Sequence, residues 1–344
     1  MRRDDEYDAI GDEVKNIMKI GVLCSGGDAP GMNPCLRAIV RAGEKYGDQV
    51  VGIRHGYEGL LNEEFWGGED RAINVRDVSG LTNRGGAFLN CSRSKRFATD
   101  EGRSRALEVL EKYRFDGLLT IGGNGTLSGA RELASLWKGQ VIGLPGTIDN
   151  DLLGTDMTIG FQTAIQTGVE AVDKLRDTAG SHDMMFLVEV MGRYCGDLAT
   201  HIALAAGCEL VETRETPTII PDIVAKLNRF KALGKRSIIM VVAEGDELGG
   251  AAPIMQELRA NGAPYEMRTV ILGHVQRGGV PAPGDRILAT KLGCFAVDAL
   301  HQGETGKMAG EIAGQLVLTP LEEVIIGRRE SAVELTKLIE RVSV

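Results

Sequence analysis

None of the six cysteines, Cys24, Cys35, Cys91, Cys195, Cys208 and Cys294, stands in a CxxC or other paired spacing, so the sequence carries no disulfide framework. There is no run of eighteen apolar residues, and with it goes the helical membrane span. Basic excess is also missing. The formal net charge of -9 argues against a general nucleic-acid surface and makes any phosphate site a local one. Neither GxGxxG nor GxxxxGK[ST] spacing occurs, which removes dinucleotide-dependent dehydrogenases and P-loop nucleotidases. Low-complexity linkers and short-period repeats are absent, so any lobes share a cleft and are not strung on a tether. The first seventeen residues, MRRDDEYDAIGDEVKNI, are mostly polar and acidic and lack the apolar core of a signal peptide. Together these absences predict a reduced, cytoplasmic protein that binds neither nucleic acid nor membrane, with residues 1–18 as an N-terminal extension.

What is present is α/β. The 344 residues, 43% of them apolar, suffice for two α/β lobes or one large domain, and 46 glycines point to many tight loops near ligands. Short Val- and Ile-rich runs predict strands at 20–24, 50–53, 117–121, 141–144, 185–190, 237–242 and 270–272. Amphipathic patterns predict helices at 33–46, 104–112, 127–137, 162–178, 197–206, 221–233 and 285–300. The alternation is that of βαβ units on a parallel sheet.

Three glycine-rich turns follow three of these strands. SGGDAPGMN (25–33) leads into a helix whose amino-terminal amides can face an anion, with Gly26, Gly27 and Gly31 allowing close backbone approach. GGNGT (122–126) is the second. The third, LPGTIDND (144–151), sets Gly146, Thr147, Asp149 and Asp151 within six residues of a strand end. Loops at the carboxyl ends of parallel strands are where open α/β sheets bind ligands, and two acids two positions apart can divide deprotonation from cation binding. One such turn alone reads equally well as plain turn chemistry; three at equivalent strand ends predict a phosphate cleft. VEVMGRYCGD (188–197) adds Arg193, and RTVILGHVQRGG (268–279) adds Arg268, His274 and Arg277. Arginine suits phosphate because its planar fork makes two directed hydrogen bonds.

GVLCSGGDAPGMN, RGGAFLNCSR, PGTIDNDLLGTD, VEVMGRYCGD and LGHVQRGG, in this order, resemble the 6-phosphofructokinases, specifically the ATP-dependent bacterial type. The resemblance runs from about Lys19 to Gln315. It implies an α/β fold of two similar three-layer lobes with largely parallel sheets. Residues 19–160 plus 276–326 would form the nucleotide-binding lobe and 161–275 plus 327–344 the sugar-phosphate-binding lobe. It also implies transfer of the ATP γ-phosphoryl group to the C1 hydroxyl of fructose 6-phosphate, with Mg2+, in a homotetramer whose sugar-phosphate sites are completed by neighbouring subunits. Asp149 matches the family's base, and Thr147 and Asp151 its hydrogen-bonding and magnesium-ordering neighbours. Arg93 and Arg193 match arginines on the moving phosphoryl group, and Gly26 an amide donor to it. Ser94, Gly123, Asn124, Gly125 and Thr126 fall at the nucleotide. Met191, Gly192, Glu244, Arg268, His274 and Arg277 fall at the sugar phosphate.

The chain departs from the family pattern in places. Asn124 stands where the family has an acid that helps hold magnesium, and its amide ligates without charge. Met184, after Asp183, replaces an Arg that reaches the neighbour's 6-phosphate. Arg54 and Ser94 replace aromatics that flank the adenine. Arg37, Arg41, Arg176, Glu209 and Lys235 match the effector site, whereas Val75, Leu233 and Ser237 do not. Gly125 and Gly146 stand where pyrophosphate-using relatives carry Asp and Lys, which predicts an open nucleotide site and ATP as donor. The alternatives are the same chemistry with pyrophosphate or another sugar phosphate, or a weakly active regulatory or structural paralogue.

Overall fold

The computed structural model describes residues 17–68, 71–327 and 332–343. Most of the expected N-terminal extension lies outside these described residues. The chain begins with β1 (Lys19–Cys24), α1 (Met32–Tyr46), β2 (Gln49–Ile53), α2 (Gly56–Leu61), α3 (Asp100–Lys112), β3 (Gly117–Gly122), α4 (Asn124–Leu136) and β4 (Gln140–Pro145). It continues through α5 (Phe161–His182), β5 (Met184–Val190), α6 (Asp197–Ala205), β6 (Leu210–Glu212), α7 (Ile220–Ala232), β7 (Ile238–Ala243), α8 (Ala251–Ala260) and β8 (Glu266–Ile271). It closes with α9 (Pro283–His301), β9 (Lys307–Ile312), β10 (Gln315–Pro320), α10 (Leu321–Ile326) and α11 (Ala332–Val342).

Two sheets result, ordered β10-β9-β4-β3-β1-β2 and β6-β7-β5-β8. Every pairing is parallel except β9 with β10. A parallel sheet covered on both faces needs apolar residues at successive positions, which is why these strands read as unbroken apolar runs. Their alternation sorts side chains between faces. Ile20, Val22 and Cys24 of β1 enter one core with α1 and α9, whereas Leu23 joins α2, α3, α4 and α10 on the other side. In β5, Met185 and Leu187 pack with α7 and α8, while Phe186, Val188 and Val190 face the opposite way. The core holding α1 and α9 continues through α5 and α6 onto that inner face of the smaller sheet. Each Leu or Ile buried completely there contributes roughly 1.5–3 kcal/mol relative to exposure.

One glycine decides where α1 starts. Gly31 has φ 117°, and a Cβ on it would stand 2.6 Å from Ile159 Cγ2. No helix among the described residues is long and apolar enough to cross a membrane.

The structure corrects several expected elements. β8 begins at Glu266 and not at Val270, and β6, β9, β10, α2, α8, α10 and α11 were not foreseen.

Candidate active site

In the larger sheet the order reverses between β1 and β3, because β1 leads to β2 on one side and β3 lies on the other. A crevice opens at such a point, outside the carboxyl ends of the strands. The turns after β1, β3 and β4 meet there. The Thr126 hydroxyl donates to the Ser25 carbonyl at 2.9 Å, and the Gly146 amide donates to the Gly122 carbonyl at 3.0 Å. The cavity measures about 680 Å³. Gly26, Gly27, Arg93, Ser94, Gly123, Asn124, Gly125, Thr126, Thr147, Asp149 and Asp151 line it, and Arg193, Glu244 and Arg277 enter from the smaller sheet's side.

The two acids sit in different surroundings. Asp149 is half-buried, and its amide donates to Thr147 Oγ1 at 3.2 Å. Burial pushes its carboxyl up to about 6; the charges of Asp151 and Glu244 add to the rise, while Arg277 and Arg193 oppose it. An acid so placed is ionised near neutral pH and still basic enough to accept a proton. Asp151 is also raised by burial, opposed by its own backbone amide, Asn124 and Arg193. Its Oδ2 accepts the Asn124 side-chain amide at 2.6 Å, and its Oδ1 is buried without a hydrogen-bond partner. That orphaned oxygen fits a hard cation, with the Asn124 carbonyl as a neutral second donor. Among the described residues no group of three or more His, Cys, Asp or Glu could hold a metal. A cation here therefore needs substrate phosphates and water to complete its shell.

Cations approach from three elements. Arg93 is exposed at the rim. Arg193 follows β5 with φ 57°, and its amide donates to Glu244 Oε1 at 2.9 Å. Arg277 lies over the first glycine turn, with Nη1 at 2.7 Å from where a Cβ on Gly27 would be.

Other predicted residues are not gathered. Met191 and Gly192 do not line the cavity, and the Met191 amide donates to Gln276 Oε1 at 2.9 Å. His274 is exposed and outside the cavity. Arg268 pairs in register with Phe186, four residues and about 13 Å upstream of the end of β5, and it binds Glu266 at 2.6 Å. Met184 opens β5 opposite Glu266, while Arg236 grips both carboxylate oxygens of Asp183 at 2.6 and 3.1 Å. The Gly26 amide donates to the Ser92 carbonyl at 3.1 Å, a bond it would have to exchange for a phosphoryl oxygen. Arg54 is exposed and does not line the cavity. Of the expected effector residues, Arg176 and Lys235 stand 3.6 and 3.5 Å from Glu209 Oε1, while Arg37 and Arg41 ride on α1, which packs against α9.

Gly146 does not widen the nucleotide site as its place in the motif implied. A Cβ there would meet Ile121 Cγ2 at 2.8 Å and the Gly122 amide at 3.2 Å, so this glycine serves strand packing and not cavity width. A Cβ on Gly125 would meet nothing within 4 Å, which leaves that wall open as expected. Tyr57, Phe97, Arg103, Ser128 and Glu132, which no motif marked, also line the cavity. Tyr57 stacks on Phe97 at 4.1 Å between ring centroids and donates to the Thr126 carbonyl at 2.7 Å.

Two α/β layers facing across a cleft of glycine turns, arginines and paired acids define a protein that binds phosphorylated ligands between lobes. The phosphofructokinase family model matches residues 19–300, and the chain belongs to the phosphofructokinase family. It is 46% identical over 312 residues to ATP-dependent 6-phosphofructokinase 1 of Thermus thermophilus, covering 91% of this chain and 95% of that protein. It is 44% identical over 327 residues to the ATP-dependent 6-phosphofructokinase of Paenibacillus macquariensis, covering 95% and 99%. Among solved structures, phosphofructokinase from Pichia pastoris in the T-state superposes with a TM-score of 0.84 at 32% identity. The match covers 97% of this chain and 40% of the Pichia chain, so the present chain spans less than half of that length.

Proposed function

We propose that this chain is an ATP-dependent 6-phosphofructokinase, moving the γ-phosphoryl group of ATP to the C1 hydroxyl of fructose 6-phosphate and giving fructose 1,6-bisphosphate. The observation that carries the reading is Asp149, a carboxylate held near a pKa of 6 between Arg193 and Arg277 in the same cavity as the open Gly125 turn. The similarity to relatives named as ATP-dependent 6-phosphofructokinases supports both donor and acceptor.

In this reading the C1 oxygen attacks the γ-phosphorus, the bond to the bridging oxygen of ADP breaks, and the hydroxyl proton passes to Asp149. Thr147 orients the acceptor side of the turn. Arg93 and Arg193 steady the charge on the transferring group, which is most of what phosphoryl transfer asks of a protein. Asp151 and Asn124 would hold Mg2+, which supplies charge neutralisation on the phosphates when bound. Glu244 and Arg277 would hold the sugar phosphate, with Met191 and Gly192 shaping the wall behind them.

Arg268 and His274 suit an acceptor site completed by a second copy of the chain, to which Met184 would bring no charged contact. The exposed apolar side chains Ile271, Val275, Val280 and Ile287, between 58% and 63% accessible in the single chain, favour such an assembly, for which we propose a homotetramer. We further propose that residues 19–160 with 276–326 form the nucleotide lobe and 161–275 with 327–344 the sugar-phosphate lobe, in a cytoplasmic enzyme. A coupled assay crossing ATP and pyrophosphate with fructose 6-phosphate and other sugar phosphates tests the reading. Turnover is expected with ATP and fructose 6-phosphate; turnover with pyrophosphate alone, or no turnover with either donor, overturns it.

A further inference from the structure

Three sulfur side chains from separate segments converge beneath the first glycine turn. Cys24 ends β1, Met32 opens α1, and Cys91 precedes the rim arginine by two residues. Cys91 Sγ donates to Met32 Sδ at 3.8 Å, and the Cys24 thiol lies near enough to the Cys91 thiol to be pushed up by it. Cys24 and Met32 are buried and Cys91 is partly exposed, so solvent reaches the group through Cys91.

The spacing has a chemical meaning. Two sulfurs each about 2.3 Å from one tetrahedral ion stand about 3.8 Å apart. Sulfur-only donors select soft, thiophilic cations and offer little to a hard ion such as Mg2+. Two thiolates neutralise a divalent ion, and a neutral complex suits the apolar surroundings that the three side chains share with Ile121 and Leu144. We propose that Cys24, Met32 and Cys91 form a binding site for a soft d¹⁰ metal ion, separate from the magnesium position, and that its occupancy slows turnover.

The consequence for turnover follows from the chain on either side. Cys24 leads directly into Ser25 and Gly26, and Cys91 into Ser92 and Arg93. These segments are already laced together, with the Gly26 amide at 3.1 Å and the Ser25 hydroxyl at 3.2 Å from the Ser92 carbonyl. An ion that bridges the two cysteine sulfurs therefore ties the phosphate turn to the segment of the rim arginine and restrains both. Binding must release the thiol protons. Because a bound thiolate has given up its proton, affinity should climb with pH.

Cadmium is the probe, added to the reduced full-length protein at saturating Mg2+. The expected result is one equivalent bound, seen as the ultraviolet thiolate-to-cadmium charge-transfer band, with turnover lost in step. Cys91→Ser and Cys24→Ser should each lose the band, and Cys91→Ser should keep basal turnover while becoming resistant to cadmium. Cys294→Ser, on α9, should behave as the native protein. A band that persists in Cys91→Ser, or vanishes equally in Cys294→Ser, overturns the site, and a full band with unaltered turnover overturns its effect on the reaction. Should Cys24→Ser fail to fold, X-ray absorption of the native complex decides: a shell of about three sulfurs with one solvent oxygen supports the site, and a shell of oxygen or nitrogen without sulfur overturns it. The binding measurement does not depend on which phosphoryl donor or acceptor the enzyme uses.

Discussion

The Asn150 side-chain amide donates to Asp197 Oδ2 at 2.9 Å with both side chains fully buried, tying the acid-bearing turn to the first residue of α6. Asn150 takes the left-handed conformation with φ 53°, and its Oδ1 accepts the Thr158 amide at 2.9 Å. The middle residue of the turn thus points inward while Asp149 and Asp151 line the cavity. Asn150→Ala should cost about 1–3 kcal/mol in denaturant unfolding, because it removes a partner from two buried groups. It should also lower kcat more than it raises KM. Native stability together with native kcat would show that the bond positions nothing.

Replacing the proposed base gives the plainest kinetic test. Asp149→Asn should lower kcat by roughly 10²–10⁴-fold, the usual worth of a positioned base, with fructose 6-phosphate still bound. Near-normal turnover would remove Asp149 from its role.

The raised carboxyl of Asp149 also predicts a pH profile. The base must be ionised to act, so kcat/KM should fall as pH drops through about 6. Stability runs the other way: the folded state binds this proton more tightly than the unfolded chain, whose value is near 3.8, so Asp149's contribution declines as pH rises from about 4 to 6. An acid limb near 6 that survives unchanged in Asp149→Asn would assign it to another group.

At the metal position, Asn124→Asp should lower the magnesium concentration for half-maximal rate, since a carboxylate adds charge to a hard-cation site. The same change removes the 2.6 Å hydrogen bond to Asp151 and sets two like charges together, so the magnesium-free protein should unfold more readily. An unchanged magnesium requirement would mean that Asp151 and the phosphates complete the site unaided.

Two glycines that look equivalent in sequence should part under mutation. Gly125→Ala places its methyl in open space and should alter stability by no more than about 0.5 kcal/mol. Gly146→Ala drives its methyl to 2.8 Å from Ile121 Cγ2 and should cost about 1–3 kcal/mol. Equal stability of the two in thermal unfolding would contradict the packing described for Gly146.

Strands buried on both faces were legible because burial leaves an unbroken apolar run, as in β3 (GLLTIG) and β7 (IIMVVA). β8, EMRTVI, is an edge strand with Glu266 and Arg268 exposed, so only its apolar end announced itself. β9 mixes Lys307 and Glu311 with two small residues, β10 is half-exposed to exposed along its length with only three apolar residues in a row, and β6 has three residues, too few for a pattern. α8 was hidden by Pro253, which sits in the first turn, where no helical hydrogen bond is lost. In the cavity, the turns were legible since each is a short motif at a strand end. Tyr57, Phe97 and Arg103 were not, because distant segments bring them together. Sequence motif alone could not distinguish Gly125, at an open wall, from Gly146, under a neighbouring strand.

The core shared by the two sheets restricts how the enzyme can breathe. α5 packs against α6, β5 and α9, so the layer between the sheets belongs to both. A hinge would have to tear this layer open and wet its leucines and valines at each turnover. Sliding keeps them dry. Substrate entry and product release should therefore proceed by shear of a few ångströms, in which interdigitated helices shift past one another and the cleft changes its width without the two halves ever swinging apart.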